Sequence, residues 1–524
     1  MLSLLAGLAL NPPVLPAVAG TPISAPLRMS LDAVSAQPGT ELWPAPDPEP
    51  ADLDSEPGGR PSTLKPLLPR RLRPERLEGE IVVPQEVRPL PGQLDQVAVF
   101  NSNNPEIISG EGILLSSFPP TGMAVPKAHL NYAFNGRFDI FSHHITRARD
   151  SSQTRTLFQG ILVYNPSRSD TISLAVRQAA SYLTRPDAIY NPLPSYLEDP
   201  VGQAYSGPGS RVVNDLLRGR RQGLWPAEIQ IPPGQVALLM SLPIPVGNVT
   251  PTSNARSTLA RLNSSGPVYV ATVAVSAPLD PYGQERPPTL DDYLQVLTTR
   301  DLVRPRDRQP TPPEQLDVYP FIYGRVSGIA RGSLWQADLT DPGSRTLAIP
   351  APGGMISYPI STLPRGTLGT GQVQSAPLLA RYPESAYAAH GNYGIEYDLT
   401  LPLVNRTNAA QTVALRFQTP LKQDQGPGLR FLTSPQDRVF YRGPLRLDYT
   451  DERGNPQTRY LHIVQNRGQQ GDNLLQLTLL PNQERKVRVR LLYPADATPP
   501  QVLTIATLDP ITAMQSRPVL SDRP

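Results

Sequence analysis

The sequence predicts an all-β protein of two tandem immunoglobulin-like β-sandwich domains, with short helical insertions and a proline-rich N-terminal tether. Three observations support this fold class. Proline is dense, with 64 prolines among 524 residues, and each proline inside a helix would remove a backbone donor and clash with the preceding turn. Short segments alternate apolar and polar residues, as half-buried strands do. One strand–turn–strand pattern also occurs twice.

This internal repeat is the strongest of the three observations. In the first half, a strand pattern ends at Asn165, with Ser167 two residues further on, and a second alternating segment follows. In the second half, Asn405 and Thr407 occupy the same places between two similar segments. Two copies of one supersecondary unit indicate two related domains rather than one large enzyme fold.

Composition sets the expected boundaries. The apolar run Leu2–Leu10, followed by Ala17-Val18-Ala19 as a small-x-small cleavage site, is typical of a secretory signal, although no Lys or Arg precedes the run. The predicted segments are a signal peptide (1–19), a proline-rich disordered tether (20–93), a first sandwich domain (94–283), a helix and proline-rich connector (284–315), a second sandwich domain (316–512) and a tail (513–524).

Charge and cysteine content exclude several classes of function. The chain has no cysteine, which excludes disulfides and cysteine zinc sites. Its formal net charge of +3 is too small to indicate a nucleic-acid surface. No later segment is long and apolar enough to span a membrane. We expect no cofactor, no nucleic-acid partner and no transmembrane span in the mature chain. The signal predicts export to the periplasm, the thylakoid lumen or the cell surface.

Local patterns predict several elements. Thr289 caps a predicted helix over Thr289–Val303, and Ser210 caps a shorter one over Ser210–Leu217. The pair Asn135-Gly136 predicts a tight hairpin, although the strand alternation on its two sides does not phase cleanly. A second hairpin is predicted around the turn at residues 451–455.

The strand over residues 395–403 is predicted to be half-buried, with Glu396 and Asp398 turned toward water. Pro402 within it suggests an edge position or a bulge, because proline cannot donate to a sheet ladder.

Basic residues are densest in and just after the shorter helix, at Arg211, Arg218, Arg220 and Arg221. Guanidinium groups can fork onto the carboxylates or phosphates of a glycan or lipid head group. The alternative interpretation is that these arginines form a solvated helix end, which needs no ligand.

Aromatic residues surround His390. Sugars stack on aromatic faces, so Tyr387, His390 and Tyr393 are candidate glycan-binding residues, with packing of the tyrosines in the core as the alternative.

Catalytic and metal chemistry have few candidates among the five histidines. Adjacent side chains on a strand point to opposite faces, so we expect one member of the pair His143-His144 to be buried and the other exposed. We assign no catalytic residue and no metal site. The nearest metal-ligand candidates are His129 and His143, with a carboxylate such as Asp139.

Four motifs resemble a cyanobacterial family of exported proteins catalogued as a domain of unknown function. They lie at residues 101–115, 136–144, 207–215 and 366–372, and the resemblance covers roughly residues 94–510. It implies a cyanobacterial source and an envelope or lumenal location, and it assigns no catalytic or binding residues.

Together these observations predict an exported cell-envelope protein of structural or binding type, which recognises a glycan, peptidoglycan or another envelope protein. The alternative is a hydrolase or lyase acting on a polysaccharide. It would use Glu396 or Asp398 with His390, or His143 with Asp139.

Overall fold

A computed structural model of the protein describes residues 79–148, 155–247, 249, 252–315, 318 and 320–509. The predicted signal peptide, most of the predicted tether and nearly all of the predicted tail lie outside these residues. Strands dominate the described part, which contains two α-helices, so the all-β prediction is confirmed. Within the described ranges, neither helix has the length or apolar character to traverse a lipid bilayer.

Strands and helices are numbered in chain order. The first-half strands are β1 (Glu80–Pro84), β2 (Glu86–Val87), β3 (Ala98–Ser102), β4 (Ile107–Ile108), β5 (Gly112–Ser116), β6 (Phe134–Arg147), β7 (Leu157–Tyr164), β8 (Ile172–Leu183), β9 (Tyr196–Glu198), β10 (Glu228–Ile231), β11 (Val236–Ile244) and β12 (Ser253–Ser276). The second-half strands are β13 (Ser327–Arg331), β14 (Leu334–Asp338), β15 (Leu347–Ala348), β16 (Met355–Ile360), β17 (Ala376–Arg381), β18 (Ala388–Ala389), β19 (Glu396–Val404), β20 (Gln411–Gln418), β21 (Gly428–Leu432), β22 (Val439–Thr450), β23 (Pro456–Asn466), β24 (Leu475–Leu479), β25 (Glu484–Leu492) and β26 (Gln501–Thr507). The helices are a 3-10 turn (Pro126–Ala128), α1 (Pro208–Leu217) and α2 (Leu290–Thr299).

The long strand β12 connects two sets of strands in the first half. Its first part pairs with β6 and β8, and its last part pairs with β7 and β5. The register shifts between Ser264 and Val268, where the strand passes from one set to the other. Phe138 of β6 and Ile161 of β7 share one buried core. An irregular strand that belongs to both layers closes the corner of a sandwich.

Two sheets form most of the second half. One runs in the order β14-β19-β25-β22-β23-β9, with β15 also paired to β19. The other runs in the order β2-β16-β26-β20-β24. Leu401 and Val487 from the first sheet share a buried core with Leu415 and Ile505 from the second. The apolar faces of the two sheets therefore stabilise each other by burial.

Several strands pair across the two halves of the sequence. β3 pairs antiparallel with β13, and β9 pairs antiparallel with β23. β1 pairs with β21, and β2 pairs with β16. The division into immunoglobulin-like domains at residues 94–283 and 316–512 stays a prediction. The β3–β13 and β9–β23 ladders connect these two ranges, whereas β1 and β2 lie in the segment predicted as tether.

The internal repeat is confirmed at its two turns. The buried Asn165 Nδ2 donates to the carbonyls of Asp170 and Ile231 at 2.7 and 2.8 Å, and its Oδ1 accepts from the Ser167 amide at 2.8 Å. The equivalent bonds of the buried Asn405 are 2.8 and 2.9 Å to the carbonyls of Ala409 and Leu479 and 2.9 Å from the Thr407 amide.

Both predicted helices form, but α2 ends at Thr299 rather than at the predicted Val303, and the cap of α1 differs from the prediction. Thr289 caps α2 through a reciprocal capping box with Asp292. At α1 the capping residue is Gly207, and the Ser210 hydroxyl instead donates back to the Gly207 carbonyl at 2.9 Å. The Asp496 carboxylate accepts from the Ser210 amide at 2.8 Å. A buried acid from the second half thus binds the positive end of the helix dipole.

The predicted hairpin at Asn135-Gly136 is wrong, because β6 continues through both residues. Gly136 has a φ of +68° and pairs with Ser264 of β12, where the register shifts. A glycine in the left-handed region serves a bulge as well as a turn. The hairpin around residues 451–455 is confirmed by the pairing of β22 with β23.

Pro402 does not lie on an edge strand, since β19 pairs with β25 on one side and with β14 and β15 on the other. The β14 ladder ends at the pair Asp338–Thr400, and the β15 ladder begins at Leu347–Leu403. Pro402 falls in the gap between these two partners. A residue without an amide hydrogen is tolerated where no partner carbonyl needs one.

Candidate functional site

Four loops of the described chain form an open groove with a volume of about 650 Å³. Ser109 follows β4, and Lys127 lies in the 3-10 turn. Residues 301–307 follow α2, and residues 382–384 follow β17. The groove therefore combines segments that are distant in sequence and that the sheets bring together.

A β-type contact with β5 places the segment after α2. The Ile113 amide donates to the Asp301 carbonyl at 3.1 Å, and the Val303 amide donates to the Ile113 carbonyl at 2.9 Å. Gly112 has a φ of +150°, and a Cβ atom there would lie 2.8 Å from the Asp301 carbonyl oxygen. Glycine is needed at this position because the two backbones approach so closely.

Arg306 anchors the floor of the groove. Its side chain is only 4% exposed. Nε donates to Glu384 Oε1 at 3.0 Å, while Nη1 donates to the carbonyl oxygens of Asn104 and, at 3.4 Å, of Leu114. The guanidinium carbon lies 5.3 Å from the centroid of the Tyr382 ring. Hydrogen bonds to three residues and a ring contact to a fourth therefore hold this buried cation. Nη2 has no hydrogen-bond partner among the described residues, so the guanidinium keeps spare donor capacity.

A second ion-pair cluster lies behind the first. Arg325 forms an ion pair with Glu106, and its Nε is 3.6 Å from Asp307 Oδ2. Burial raises the pKa of the Glu106 carboxyl and of the Asp307 carboxyl, and Arg325 opposes both shifts. The Asp307 amide also donates to Asn104 Oδ1 at 3.2 Å. The motif at residues 101–106 thus forms part of the wall behind the groove.

Exposed cations form the rim. Lys127 Nζ lies 3.7 Å from Asp301 Oδ2, and Arg304 Nη2 lies 3.9 Å from the same oxygen. The Tyr382 hydroxyl, below the rim, donates to the Ala128 carbonyl at 2.7 Å. This bond fixes the 3-10 turn that carries Lys127 against the loop after β17.

The structure buries both members of the pair His143-His144, so the expectation of one exposed histidine is wrong. β6 has neighbouring strands on both sides and packed side chains on both faces. The His144 ring bonds to Ser102 Oγ at 3.0 Å and to the Pro105 carbonyl at 2.7 Å. His144 therefore supports the same motif that holds Arg306.

The other histidine candidates also bond to hydroxyl groups. His143 Nδ1 is 2.7 Å from Ser257 Oγ, and His129 Nδ1 is 2.8 Å from Ser116 Oγ. Burial lowers the pKa of His143 to about 3 and that of His129 to about 4. In the described part of the chain, no three His, Asp or Glu side chains are placed to hold one metal ion.

The carboxylates of the catalytic alternative pair with arginines. Asp398 is buried rather than turned toward water, since its Oδ1 accepts from Arg488 Nε at 2.6 Å. Glu396 Oε2 accepts from Arg261 Nη2 at 2.8 Å. Glu396 keeps an exposed fraction of 13%, and the partner of Asp398, Arg488, is 43% exposed. Arginine side chains therefore cover these acids, and the ion pairs offset the loss of hydration.

Asp139 lies in the same charged cluster. Its Oδ2 is 3.8 Å from both Arg137 Nη2 and Arg261 Nε. Burial raises the pKa of Asp139 to about 6, and the two arginines oppose the shift.

Arg211 and Arg218 lie against tyrosine rings. The Arg211 guanidinium carbon is 4.3 and 4.5 Å from the ring centroids of Tyr182 and Tyr205. That of Arg218 is 3.9 Å from the ring of Tyr460 on β23. These stacked cations attach α1 to both halves of the sequence.

Arg220 and Arg221 lie past the end of α1 and are exposed. Arg220 Nη1 is 3.2 Å from Asp215 Oδ1, and Arg221 Nη1 donates to the Val176 carbonyl at 3.3 Å. All four arginines of the predicted binding cluster therefore have partners within the chain, and binding of an external ligand by them stays a prediction.

The predicted aromatic site divides between core and surface contacts. Tyr393 packs on Phe141, and its hydroxyl donates to the Ala497 carbonyl at 3.0 Å. Tyr387 lies under the Arg381 guanidinium at 3.8 Å. His390 Nδ1 is 3.3 Å from Ser375 Oγ, and burial lowers its pKa to about 4. The Tyr393 contacts agree with core packing, the alternative to glycan binding.

Comparison with known sequences identifies the family. A family described as "Protein of unknown function (DUF3370)" matches residues 85–507. The chain belongs to this family. The resemblance seen in the sequence motifs of this DUF3370 member is thereby confirmed. No curated protein matches the chain.

Three solved structures that are similar to this DUF3370 member have TM-scores of 0.08 to 0.09. A variant of oxalate decarboxylase from Bacillus subtilis is 8% identical, covers 77% of this chain and 80% of its own, and has a TM-score of 0.09. The coconut allergen cocosin is 11% identical, with coverages of 77% and 86% and a TM-score of 0.08. Procruciferin, an 11S globulin from Brassica napus, is 10% identical, with coverages of 77% and 85% and a TM-score of 0.08. Likeness at this level carries no argument about fold or function.

The groove residues escaped prediction. The sequence Arg304-Pro305-Arg306 falls within the predicted helix and proline-rich connector (284–315). The signal that could have indicated the groove is the dense charge of residues 304–308, where arginine alternates with proline and aspartate. Charged side chains at such density inside a folded region need partners.

Proposed function

We propose that this DUF3370 member is an exported cell-envelope protein of the binding type, which holds a glycan chain such as that of peptidoglycan in the groove. The observation that carries the proposal is the groove itself, whose volume of about 650 Å³ falls in the range of ligand sites. Arg306 and its partners fix the floor before any ligand arrives, and a preformed site binds with a smaller ordering cost.

The lining chemistry supports a glycan as the ligand. Leu302, Pro305 and Pro383 supply apolar surface, on which the C–H faces of sugar rings can pack. Ser109 and the charged residues supply groups that can hydrogen bond to hydroxyls. An envelope protein as ligand would need a larger contact area than this groove supplies.

Pelleting with purified peptidoglycan sacculi tests the proposed binding. Ser109 is exposed and lines the groove, so Ser109→Trp places a large ring in the space for the ligand. The matched control is Ser169→Trp, at an exposed turn between β7 and β8. We expect the wild-type chain and the control to pellet and Ser109→Trp to remain in solution. Equal pelleting of both variants, or pelleting of none, would contradict the proposal.

Export is the second part of the proposal, with the periplasm, the thylakoid lumen or the cell surface as destination. Cell fractionation and mass spectrometry of the native chain test it. We expect a mature N-terminus at Gly20 in an extracytoplasmic fraction. An uncleaved chain in the cytosol would contradict export.

A further inference from the structure

Charge at the groove rim is unequally exposed. The side chains of Lys127 and Arg304 are 74% and 69% exposed, whereas Asp301, the carboxylate between them, is 38% exposed. Both ion pairs are long, at 3.7 and 3.9 Å, and water and salt screen such pairs. One carboxylate cannot neutralise two cations, so the rim carries excess positive charge.

The other carboxylates of the groove are bound from the protein side. Glu384 accepts from Arg306, and Asp307 lies beside Arg325, which also pairs with Glu106. These acids are engaged in fixing the wall. Glu384 and Asp307 are 26% and 36% exposed, and each lies beside an arginine of the protein. A ligand in the groove therefore meets two cations at the rim that are more exposed, and acids in the wall that already have arginine partners.

We propose that the groove selects an anionic glycan, whose carboxylate or sulfate groups take the place of Asp301 as partner of Lys127 and Arg304. This inference rests on the proposed glycan-binding function and names its ligand class. Arg304 offers the paired donors that match a carboxylate or a sulfate edge, and Lys127 offers a point charge. Both residues determine specificity, while Arg306 positions the floor beneath them.

Calorimetric titration of the full chain with three defined hexasaccharides tests the ligand class. The probes are a hexamer of galacturonic acid, a sulfated hexamer of glucose and the unmodified hexamer of glucose. We expect the affinity for the neutral hexamer to be at least about tenfold lower than that for the tighter-binding acidic hexamer, because the neutral sugar lacks a charge-assisted contact. Raising the ionic strength should weaken binding of the acidic hexamers and leave the neutral one unchanged.

A charge-matched pair of double variants tests the two residues. Lys127→Gln with Arg304→Gln removes the rim cations. Arg345→Gln with Arg453→Gln removes two exposed arginines that do not line the groove. We expect the first double variant to lose about tenfold in affinity for the acidic hexamer and the second to keep wild-type affinity, with unchanged thermal melting of both.

The outcomes separate this inference from the proposed function. Equal affinity for acidic and neutral hexamers overturns anionic selectivity and leaves glycan binding in place. Wild-type affinity in the Lys127→Gln, Arg304→Gln variant overturns the assignment to the rim cations. Failure of every hexamer to bind, together with failure to pellet with sacculi, overturns the proposed function itself. A preference for one acidic hexamer supports the inference and identifies the anion.

Discussion

Replacement of the two repeated asparagines by alanine tests whether the turns at residues 165 and 405 are equivalent in energy as well as in geometry. Asn405→Ala removes two donated bonds, to the carbonyls of Ala409 and Leu479, and one accepted from the Thr407 amide. Asn165→Ala removes the corresponding three bonds. Both side chains are fully buried, and the bonds to the Ile231 and Leu479 carbonyls are buried at both ends, so water does not replace these two bonds.

The expected magnitude follows from the number of bonds. An intramolecular hydrogen bond contributes about 1 kcal/mol net, so three bonds give a loss of about 3 kcal/mol in the free energy of unfolding at each site. Asn405 also accepts from the Thr407 hydroxyl at 2.7 Å. That hydroxyl is partly exposed and can bind water instead, so we add nothing for it.

Urea unfolding followed by tryptophan fluorescence measures both losses. The control is Ser169→Ala, at an exposed position of the first turn, which should change the unfolding free energy by less than about 0.5 kcal/mol. A loss below about 1 kcal/mol at either asparagine would refute the reasoning from buried hydrogen bonds. Clearly unequal losses would refute the equivalence of the two turns.

Three further predictions concern α1 and the buried histidines. Gly207 has a φ of +91°, and an added Cβ would overlap the Tyr190 ring. Gly207→Ala should therefore lower the free energy of unfolding in urea by about 3 kcal/mol or more. The control Gly223→Ala, whose Cβ would meet no neighbouring atom, should be as stable as the wild type. Burial lowers the pKa of His462 from 6.5 to about 4, so the neutral ring stabilises the fold above pH 6.5, and that stability is lost as the pH falls toward 4. At pH 5 the loss in unfolding free energy is about 2 kcal/mol. The wild-type protein should therefore be less stable at pH 5 than at pH 7, and His462→Leu should reduce that difference by about 2 kcal/mol. An unchanged difference would contradict the lowered pKa of His462. Arg218→Lys should cost about 1 kcal/mol through lost stacking on tyrosine and leave pelleting with sacculi unchanged, and loss of pelleting would instead support the predicted arginine binding site.

Elements with local signals could be predicted from the sequence. Thr289 and Asp292 form their capping box within one helical turn. The turn at residues 451–455 connects two strands that are consecutive in sequence and pair directly with each other. Asn135-Gly136 carried an equally local signal for a hairpin. There the outcome depended on β12, more than a hundred residues away, whose register shift uses the positive φ of Gly136 for a bulge.

The groove could not be predicted, because no single segment contains it. Arg306 acquires its role only when the Asn104 carbonyl and Glu384 approach it from two other loops. The sequence motif around Asn104 supports the family resemblance, but it assigns no binding residue and gives no sign of Arg306 as the partner of Asn104. Side-chain pairing was the second limit. Asp398 alternates like a solvent-facing residue, and Glu396 and Thr400 on the same face of β19 are partly exposed. Asp398 itself is buried because Arg488 pairs with it.

The ladder between β3 and β13 has a consequence for the order of folding. Phe100 pairs with Ile329, so the edge of the first-half sheet stays open until the ribosome has made residues from the second half. The partner of β9 is synthesised later still, because Tyr196 pairs with Ile463. Pairings over such separations are slow to form, since loop closure precedes the contacts that reward it. The first half therefore carries unpaired strand edges while much of the second half is being synthesised. A chaperone that holds the nascent chain would be needed during this interval.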